Sequence, residues 1–507
     1  MTPIDVLISG AGPTGLALAL WLTKQGVKVR IIDKTEGPGT TSRAVAVQAR
    51  TLELYRQLDL TDDVLAQGRK VPAINLWVQG KKQTRVSFDN FAADLTPYGP
   101  FTYAQDQHER LLIERLEALD VRVERQTELQ SFSDTGDRVT ATLQRADGQQ
   151  ETCDAAYLAG CDGARSLVRQ SIGSGFPGGT YDQVFYVADV TAEGPALDGE
   201  LHVDLDEADF LAVFPLAGQG HARLIGTVRD DRAEHPENLK FEDVSQRAIE
   251  NMKVEVRQVR WFSTYRVHHR VTEHFRMGRC FLLGDAAHVH SPAGGQGMNT
   301  GLGDAINLAW KLKAVLTEAA SDALLDTYQT ERRSFALKLV ATTDRVFNFA
   351  TAEGRVADFI RTRVAPLIMP TLFRFEAARD YVFSAVSQIV VAYRDSAISA
   401  GRAGSVRGGD RLPWAPVPDV DNFATFDTIG WQIHVYGIAS PALCDWCRSH
   451  DVTLHVFAWQ EAYAAAGLAR DAVYLLRPDT YVALATTDQA PEQLEAYFAA
   501  HRISLVQ

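Results

Sequence analysis

Cysteine is scarce, at five in 507 residues. That excludes a disulfide scaffold and suits a reducing interior. A basic excess is missing too. Lys and Arg number 51 against 64 Asp and Glu, for a formal net charge of −13, and a sequence-independent grip on nucleic acid needs a basic surface. Long apolar runs are absent. The most apolar, Leu16 to Leu22, falls far short of the roughly 20 residues of a membrane span. The first residues, Met1-Thr2-Pro3-Ile4-Asp5, lack the basic region of a secretory signal. The expectation is a soluble, cytoplasmic protein with no membrane or nucleic-acid partner. Apolar content, by contrast, is plentiful at 46%, enough for the cores of two or three domains.

Glycine is present and unevenly placed. Gly284-Asp285-Ala286-Ala287-His288-Val289-His290-Ser291-Pro292-Ala293 runs on into Gly294-Gly295-Gln296-Gly297-Met298-Asn299, a strand end followed by a loop too glycine-rich for a core element. Such a loop lets backbone approach something flat or anionic, because glycine has no Cβ in the way. His288 and His290 stand beside it with no third ligand evident, so no metal is expected. A second nucleotide signature lies far upstream. Val6-Leu7-Ile8-Ser9 suits a buried parallel strand. It ends in Gly10-Ala11-Gly12-Pro13-Thr14-Gly15, a G-x-G-x-x-G. Leu16 to Gln25 reads as a helix closed by Gly26, and Val27 to Ile32 as a strand ending on Asp33. In that context Gly10 makes the turn, Gly12 admits a pyrophosphate and Gly15 lets helix pack on strand. The helix amino terminus faces the phosphates with free N–H groups. Asp33 is placed to accept from ribose hydroxyls. The motif alone leaves NAD and FAD open.

Two further segments decide between them. Leu158-Ala159-Gly160-Cys161-Asp162-Gly163-Ala164-Arg165-Ser166 is a strand turning through Asp-Gly into a helix that carries Arg169. Gly278-Arg279-Cys280-Phe281-Leu282-Leu283 leads into Gly284-Asp285-Ala286-Ala287-His288. With the first motif, in this order and spacing, they make about residues 1–400 resemble the class A FAD-dependent monooxygenases, the family of para-hydroxybenzoate, phenol and polyketide hydroxylases. The resemblance implies an α/β fold: a Rossmann-type (GR2-like) FAD-binding domain with an inserted antiparallel-sheet substrate domain. It implies tight, non-covalent FAD, held at its ADP end through Gly10, Gly12, Pro13, Thr14, Gly15, Asp33 and Lys34. Asp285, after Gly284, would hold a ribityl or ribose hydroxyl. Asp162 and Gly163 would sit close to both FAD and the pyridine nucleotide. Pro292 to Asn299, with Gly295, Gly297 and Met298, would line the isoalloxazine. Arg43 and Gln105 match positions that flank the flavin; a solvated loop arginine and a strand-end cap are the plainer alternatives, as a helix N-cap is for Asp285. NADPH or NADH, with no Rossmann unit of its own, would dock transiently, reduce the flavin and leave.

The flavin domain is expected in three pieces, 1–75, 100–175 and 270–345, with the substrate domain at 76–99 and 176–269. Period-two alternation in Glu200 to Leu205, Phe210 to Leu216 and Ala222 to Val228 indicates an antiparallel sheet. By the resemblance it walls the substrate chamber, and Phe214 and Pro215 help close it. Helical pattern returns at Gly303 to Val315 and Leu324 to Asn348, and again at Phe359 to Ala400 within a segment 346–400. The Gly- and Pro-rich stretch 401–422 reads as a linker. Beyond it, 423–507 resembles the thioredoxin-like α/β tail of longer hydroxylases. Its Cys444-Asp445-Trp446-Cys447 has dithiol spacing, but it sits inside a helix rather than at the terminus that lowers a thiol pKa, so packing cysteines are expected.

A flavin against an enclosed, mostly apolar chamber suits oxygen activation. In the family a C4a-hydroperoxide must be kept from water until its distal oxygen is transferred, and Arg43, Pro292 and Gly295 would border it. A base that makes a phenolate would help; His202, His221 and Tyr265 are candidates. The expected reaction is NAD(P)H- and O2-dependent hydroxylation of a phenolic or polycyclic, polyketide-like aromatic. Baeyer–Villiger-type oxygenation of a polyketide and a flavin-binding redox sensor are the alternatives. A flavin halogenase is not, because its Trp-x-Trp-x-Ile-Pro element is absent. Monomer and dimer both stay open.

Overall fold

A computed structural model describes residues 4–39, 44–78, 80–88, 94–205, 210–228, 238–244, 246–291, 294–317, 319–351 and 376–505. Three distant pieces of sequence assemble one sheet. Its order is Arg276–Met277, Cys280–Leu282, Gln150–Gly160, Ile4–Ser9, Val29–Asp33 and Glu124–Arg125. From Cys280–Leu282 onward, neighbours along this path are parallel, and Val6, Leu7 and Ile8 are wholly buried, as a strand covered on both faces requires. The helix Pro13–Lys24 packs Leu16 to Leu22 into that core. It crosses the helix Gly297–Leu316 closely. A Cβ on Gly284 would stand 2.6 Å from Thr14 Oγ1, and one on Gly301 would also run into that hydroxyl. Thr14 therefore serves the crossing of the two helices.

The second sheet has eight strands among the described residues, ordered His288–Val289, Glu255–Val271, Gly178–Glu193, His221–Val228, Phe210–Pro215, Leu201–Leu205, Ala73–Val78 and Lys81–Ser87. All neighbours are antiparallel except Leu201–Leu205 beside Ala73–Val78. The sheet thus draws strands from both sides of the expected insertion. Its period-two pattern sorts residues onto two faces. Val184, Tyr186, Ala188, Val213 and Leu224 lie on one, under the helix Arg247–Asn251. Phe185, Val187 and Ile225 lie on the other, with Phe210, Phe214, Trp261 and Tyr265 packed around them.

The third sheet corrects the expected linker. Ala400–Ala403 pairs in parallel with Val482–Thr486, and Val406–Arg407 pairs with Ala400–Ala403. Leu412, Ala415, Phe423 and Phe426 are buried under it. The glycines of this stretch belong to tight packing rather than freedom: a Cβ on Gly409 would strike the backbone of Tyr393. The sheet continues through Val473–Leu476, Gln432–Tyr436 and Thr453–Phe457. Gln432–Tyr436 is parallel to Thr453–Phe457 and antiparallel to Val473–Leu476, the thioredoxin-like arrangement. The helical block expected from Phe359 falls partly outside the described residues. Within them, Glu376–Val386 is helical, but 391–399 is not, because Tyr393 and Ser396 turn inward to bond Arg332 and Glu331.

A buried ionic cluster joins this sheet to the flavin side. Arg477 donates to Glu331 at 2.7 and 3.0 Å and to Asp479 at 2.9 and 2.5 Å. Lys311 and Asn307 reach Glu331 at 2.8 and 2.6 Å. Burial pushes the Glu331 pKa up, but Arg477 and Lys311 outweigh this and hold the carboxyl well below its usual range. No described helix is long and apolar enough to cross a membrane.

Candidate active site

The nucleotide end forms where the first strand gives way to the first helix. Gly10 takes φ +105, and a Cβ there would run into the Cys161 carbonyl. Cys161 N donates to Ser9 O at 2.8 Å, so the Gly10 turn and Asp162 lie side by side. At Gly12 a Cβ would meet nothing within 4 Å. The space ahead of the helix amino terminus is open, and Pro13 holds its first position. Asp33 Oδ2 accepts from Ala11 N at 2.7 Å, and its Oδ1 accepts from Thr35 N at 2.8 Å; Lys34 is exposed beside it. Asp162 Oδ2 caps Leu167 N and Val168 N, at 2.8 and 3.1 Å. Its Oδ1 is buried without a partner, and Gly163, at φ +77, turns the chain away. An unmatched buried acceptor beside an open glycine turn suits the hydroxyl donors of a flavin dinucleotide.

The ring end is fixed from behind. Asp304 Oδ2 accepts from Gly284 N at 3.0 Å and pairs with His288 Nε2 at 2.7 Å, while Oδ1 accepts from Arg332 Nε at 2.7 Å. Burial pushes the Asp304 pKa up, but Arg332 and His288 outweigh it and hold the group ionised. Asp285, which follows Gly284, is exposed. The helix Gly297–Leu316 starts at the end of the glycine loop, so the N–H groups of Gly297, Met298 and Asn299 have no acceptor within their own helix. The Asn299 side chain has another task. Its Oδ1 accepts from Gln48 N and Thr51 Oγ1, both at 2.8 Å, and its Nδ2 donates to Ala46 O at 2.9 Å. Gln48 Nε2 donates to Gly294 O at 2.9 Å, and a Cβ on Gly295 would stand 2.7 Å from Ala46 Cβ. The glycine loop is therefore laced to residues 46–51.

The same segment meets the second sheet. Ala44 O accepts from Gln105 N at 3.2 Å and from Arg223 at 2.9 Å, which places Gln105 beside the glycine loop's partner segment. Arg43 and Pro292 lie outside the described residues. Register then sorts the other candidates. Phe214, Arg223, Asp189 and Trp261 are successive partners across four strands and share one face. Ala212, Ile225, Val187 and Ser263 form the next row, and Thr227, Phe185 and Tyr265 the one after, with Phe210 N bonded to Thr227 Oγ1. Tyr265 lies about 13 Å along the strands from the Asp189 row.

His202 and Pro215 fall on the opposite face. His202 pairs with Val213, and Pro215 with Ala222, both in the core beneath the Arg247–Asn251 helix. His202 is also fully engaged. Its Nδ1 accepts from Trp77 Nε1 at 2.9 Å and its Nε2 meets Asp198 at 2.8 Å, so no lone pair remains for a base. His221 shares the Arg223 face but sits at the hairpin rim, against Ala217 O at 3.1 Å and Arg260. Arg223 and Asp189 escaped sequence reasoning. Their signal was a charged residue in each of two apolar strands, at the parity of Phe214 rather than of Leu224.

Cys444 and Cys447 stand in the helix Pro441–Ser449, whose N-cap is Ser440. Burial pushes the Cys447 thiol up to about 12, the opposite of an activated dithiol.

An open glycine turn, an unmatched acceptor at Asp162 and a helix start facing a glycine loop define a dinucleotide-binding flavoprotein. Residues 3–343 match the FAD binding domain family, and the chain belongs to it as an FAD-dependent monooxygenase. The chain is 38% identical over 415 residues to 6-methylpretetramide 4-monooxygenase of Streptomyces rimosus, covering 80% of this chain and 72% of that one. The anhydrotetracycline hydroxylase structure from Streptomyces rimosus superposes with a TM-score of 0.78 at 29% identity, over 99% of both chains. The Diels-Alderase of pyrroindomycin biosynthesis also has a TM-score of 0.78, at 27% identity, over 99% of this chain and 100% of that one. FAD is the cofactor, and the family's transient reductant is NAD(P)H. The sensor alternative is set aside.

Proposed function

We infer that the protein hydroxylates a phenolic, polycyclic aromatic of the polyketide type with NAD(P)H and O2. The observation that carries this is the junction at Ala44. There a sheet face bearing Phe214, Trp261, Ile225, Phe185 and Tyr265 is tied to the segment that holds the glycine loop. Such a face offers a flat aromatic an apolar partner with few polar points. Relatives named as 6-methylpretetramide and pentachlorophenol monooxygenases support the same class.

FAD supplies reduced-flavin activation of O2 when bound. The chain's own residues bind, orient and exclude water. Gly10, Gly12 and Asp33 would hold the ADP end of FAD, Asp162 and Asp285 would accept from its hydroxyls, and the first N–H groups of the Gly297–Leu316 helix would face its ring. By the family resemblance, Arg43, Pro292 and Gly295 would border the reacting edge. The test is NAD(P)H oxidation over a panel of phenols and polycyclic phenols. Strong acceleration by some members with matching hydroxylated product is expected; a slow rate that no aromatic raises would sink the proposal. Arg43→Ala should keep FAD but divert turnover to hydrogen peroxide, and full coupling in that variant would remove Arg43 from the site.

A further inference from the structure

One charged pair stands in the apolar face. Arg223 is fully buried and donates to both oxygens of Asp189, Nε to Oδ1 at 2.7 Å and Nη2 to Oδ2 at 2.8 Å. Its third contact is the Ala44 carbonyl, and its guanidinium carbon lies 5.9 Å from the centre of the Trp261 ring. The Asp189 side chain is different: it keeps 23% exposure against 1% for Arg223. The guanidinium therefore sits behind, and one side of the carboxylate is turned outward. Each carboxylate oxygen has taken one hydrogen bond from Arg223 and retains a further lone pair. Around it are Phe214 and Trp261 in its own row, and Ala212, Ile225 and Val187 in the next. A buried ion pair earns little stability compared with an apolar replacement, so its place on the face nearest Ala44 calls for another reason.

We propose that Asp189 is the acceptor that orients a hydroxyl of the substrate, and that this selects neutral hydroxylated aromatics over methylated or carboxylate-bearing ones. This rests on the monooxygenase reading above. A carboxylate held by Arg223 accepts hydrogen bonds and donates none, so it takes a phenolic O–H and gains nothing from an ether. A substrate carboxylate meets like charge, because the balancing cation is already committed to Asp189 and Ala44. Arg223 is the positioning residue: it aims the carboxylate and ties the row to the segment beside the flavin.

The test uses the FAD-loaded full chain and three probes: 2-hydroxyanthraquinone, 2-methoxyanthraquinone and anthraquinone-2-carboxylate. Binding is read from the change in flavin absorbance. The wild type should bind the hydroxy compound about ten- to a hundredfold more tightly than the other two, the range for a hydrogen bond to a charged group. Asp189→Ala leaves a buried guanidinium without its counter-ion, which costs stability, so the paired variant Asp189→Leu with Arg223→Met accompanies it. That protein should keep its FAD and bind hydroxy and methoxy probes within about threefold of each other. An unchanged preference in the paired variant overturns the assignment of Asp189 while leaving the hydroxylase reading intact. Binding of none of the three by the wild type, together with NAD(P)H oxidation that no phenol raises, overturns both.

Discussion

At the scale of single residues, two glycines three positions apart in one motif have separable tasks. Gly12 has open space where a Cβ would go and an ordinary φ of −78, whereas a Cβ on Gly15 would run into the Gly10 carbonyl. Gly12→Ala should therefore leave the melting temperature of the FAD-stripped protein unchanged and weaken FAD binding at least tenfold. Gly15→Ala should lower the stripped protein's stability itself, by about 1–3 kcal/mol. Equal effects from the two would contradict the description of the turn. Histidines set the acid limit. Burial pushes His108, whose Nε2 lies 2.6 Å from the Tyr55 hydroxyl, down to about 4, and His290 likewise. Between the unfolded value near 6.5 and 4, the unfolded chain binds protons that the folded one refuses, so stability falls as pH drops through that window. The loss is about 3 kcal/mol per histidine at the lower end, and His108→Gln should flatten the profile of denaturation midpoint against pH. The glycine turns were legible in sequence because their task is local. His202 and Pro215 were not. Which face a strand residue takes depends on its partner in register, and a shift of one position reverses it.

Elements are held in place by charge as well as by apolar packing. Arg477, in the turn between two strands of the third sheet, pairs with Glu331 on the long helix Asp326–Thr351, and both are wholly buried. Arg477→Met should cost about 3–5 kcal/mol in denaturant unfolding, because Glu331 is left charged and short of a partner. Adding Glu331→Met should recover part of that loss; strictly additive costs would show that the two do not act as a pair. In 401–422, glycine and proline in a row mark a turn-rich stretch, and only the pairing of Ala400–Ala403 with Val482–Thr486 and of Val406–Arg407 with Ala400–Ala403 shows that its start belongs to a sheet. The helices expected at 303–315 and 324–348 were legible, since their apolar positions recur at helical spacing, but the first begins already at Gly297, inside the stretch read as a glycine loop.

For the molecule as a whole, the third sheet is a buttress rather than an appendage. Arg50 donates to Asp479 O at 3.0 Å, Gln57 to Pro478 O at 2.8 Å, and Arg411 to Glu53 at 2.8 and 2.6 Å. Removing residues from 401 onward strands these buried groups, so the shortened chain should come out insoluble or free of FAD; a yellow, soluble product would contradict the account. Replacing Cys444 and Cys447 together by Ala should leave NAD(P)H oxidation and product yield unchanged. The class of reaction was readable from three motifs, whereas Asp189 and Arg223 emerged only once four strands were set side by side. The central claim is that this scaffold delivers one oxygen atom from O2 to an aromatic ring. Turnover of the best-stimulating polycyclic phenol under 18O2 measures it most directly. The account predicts a product heavier by one 18O atom for each NAD(P)H consumed; an unlabelled product, or NAD(P)H oxidised with hydrogen peroxide alone, would contradict it.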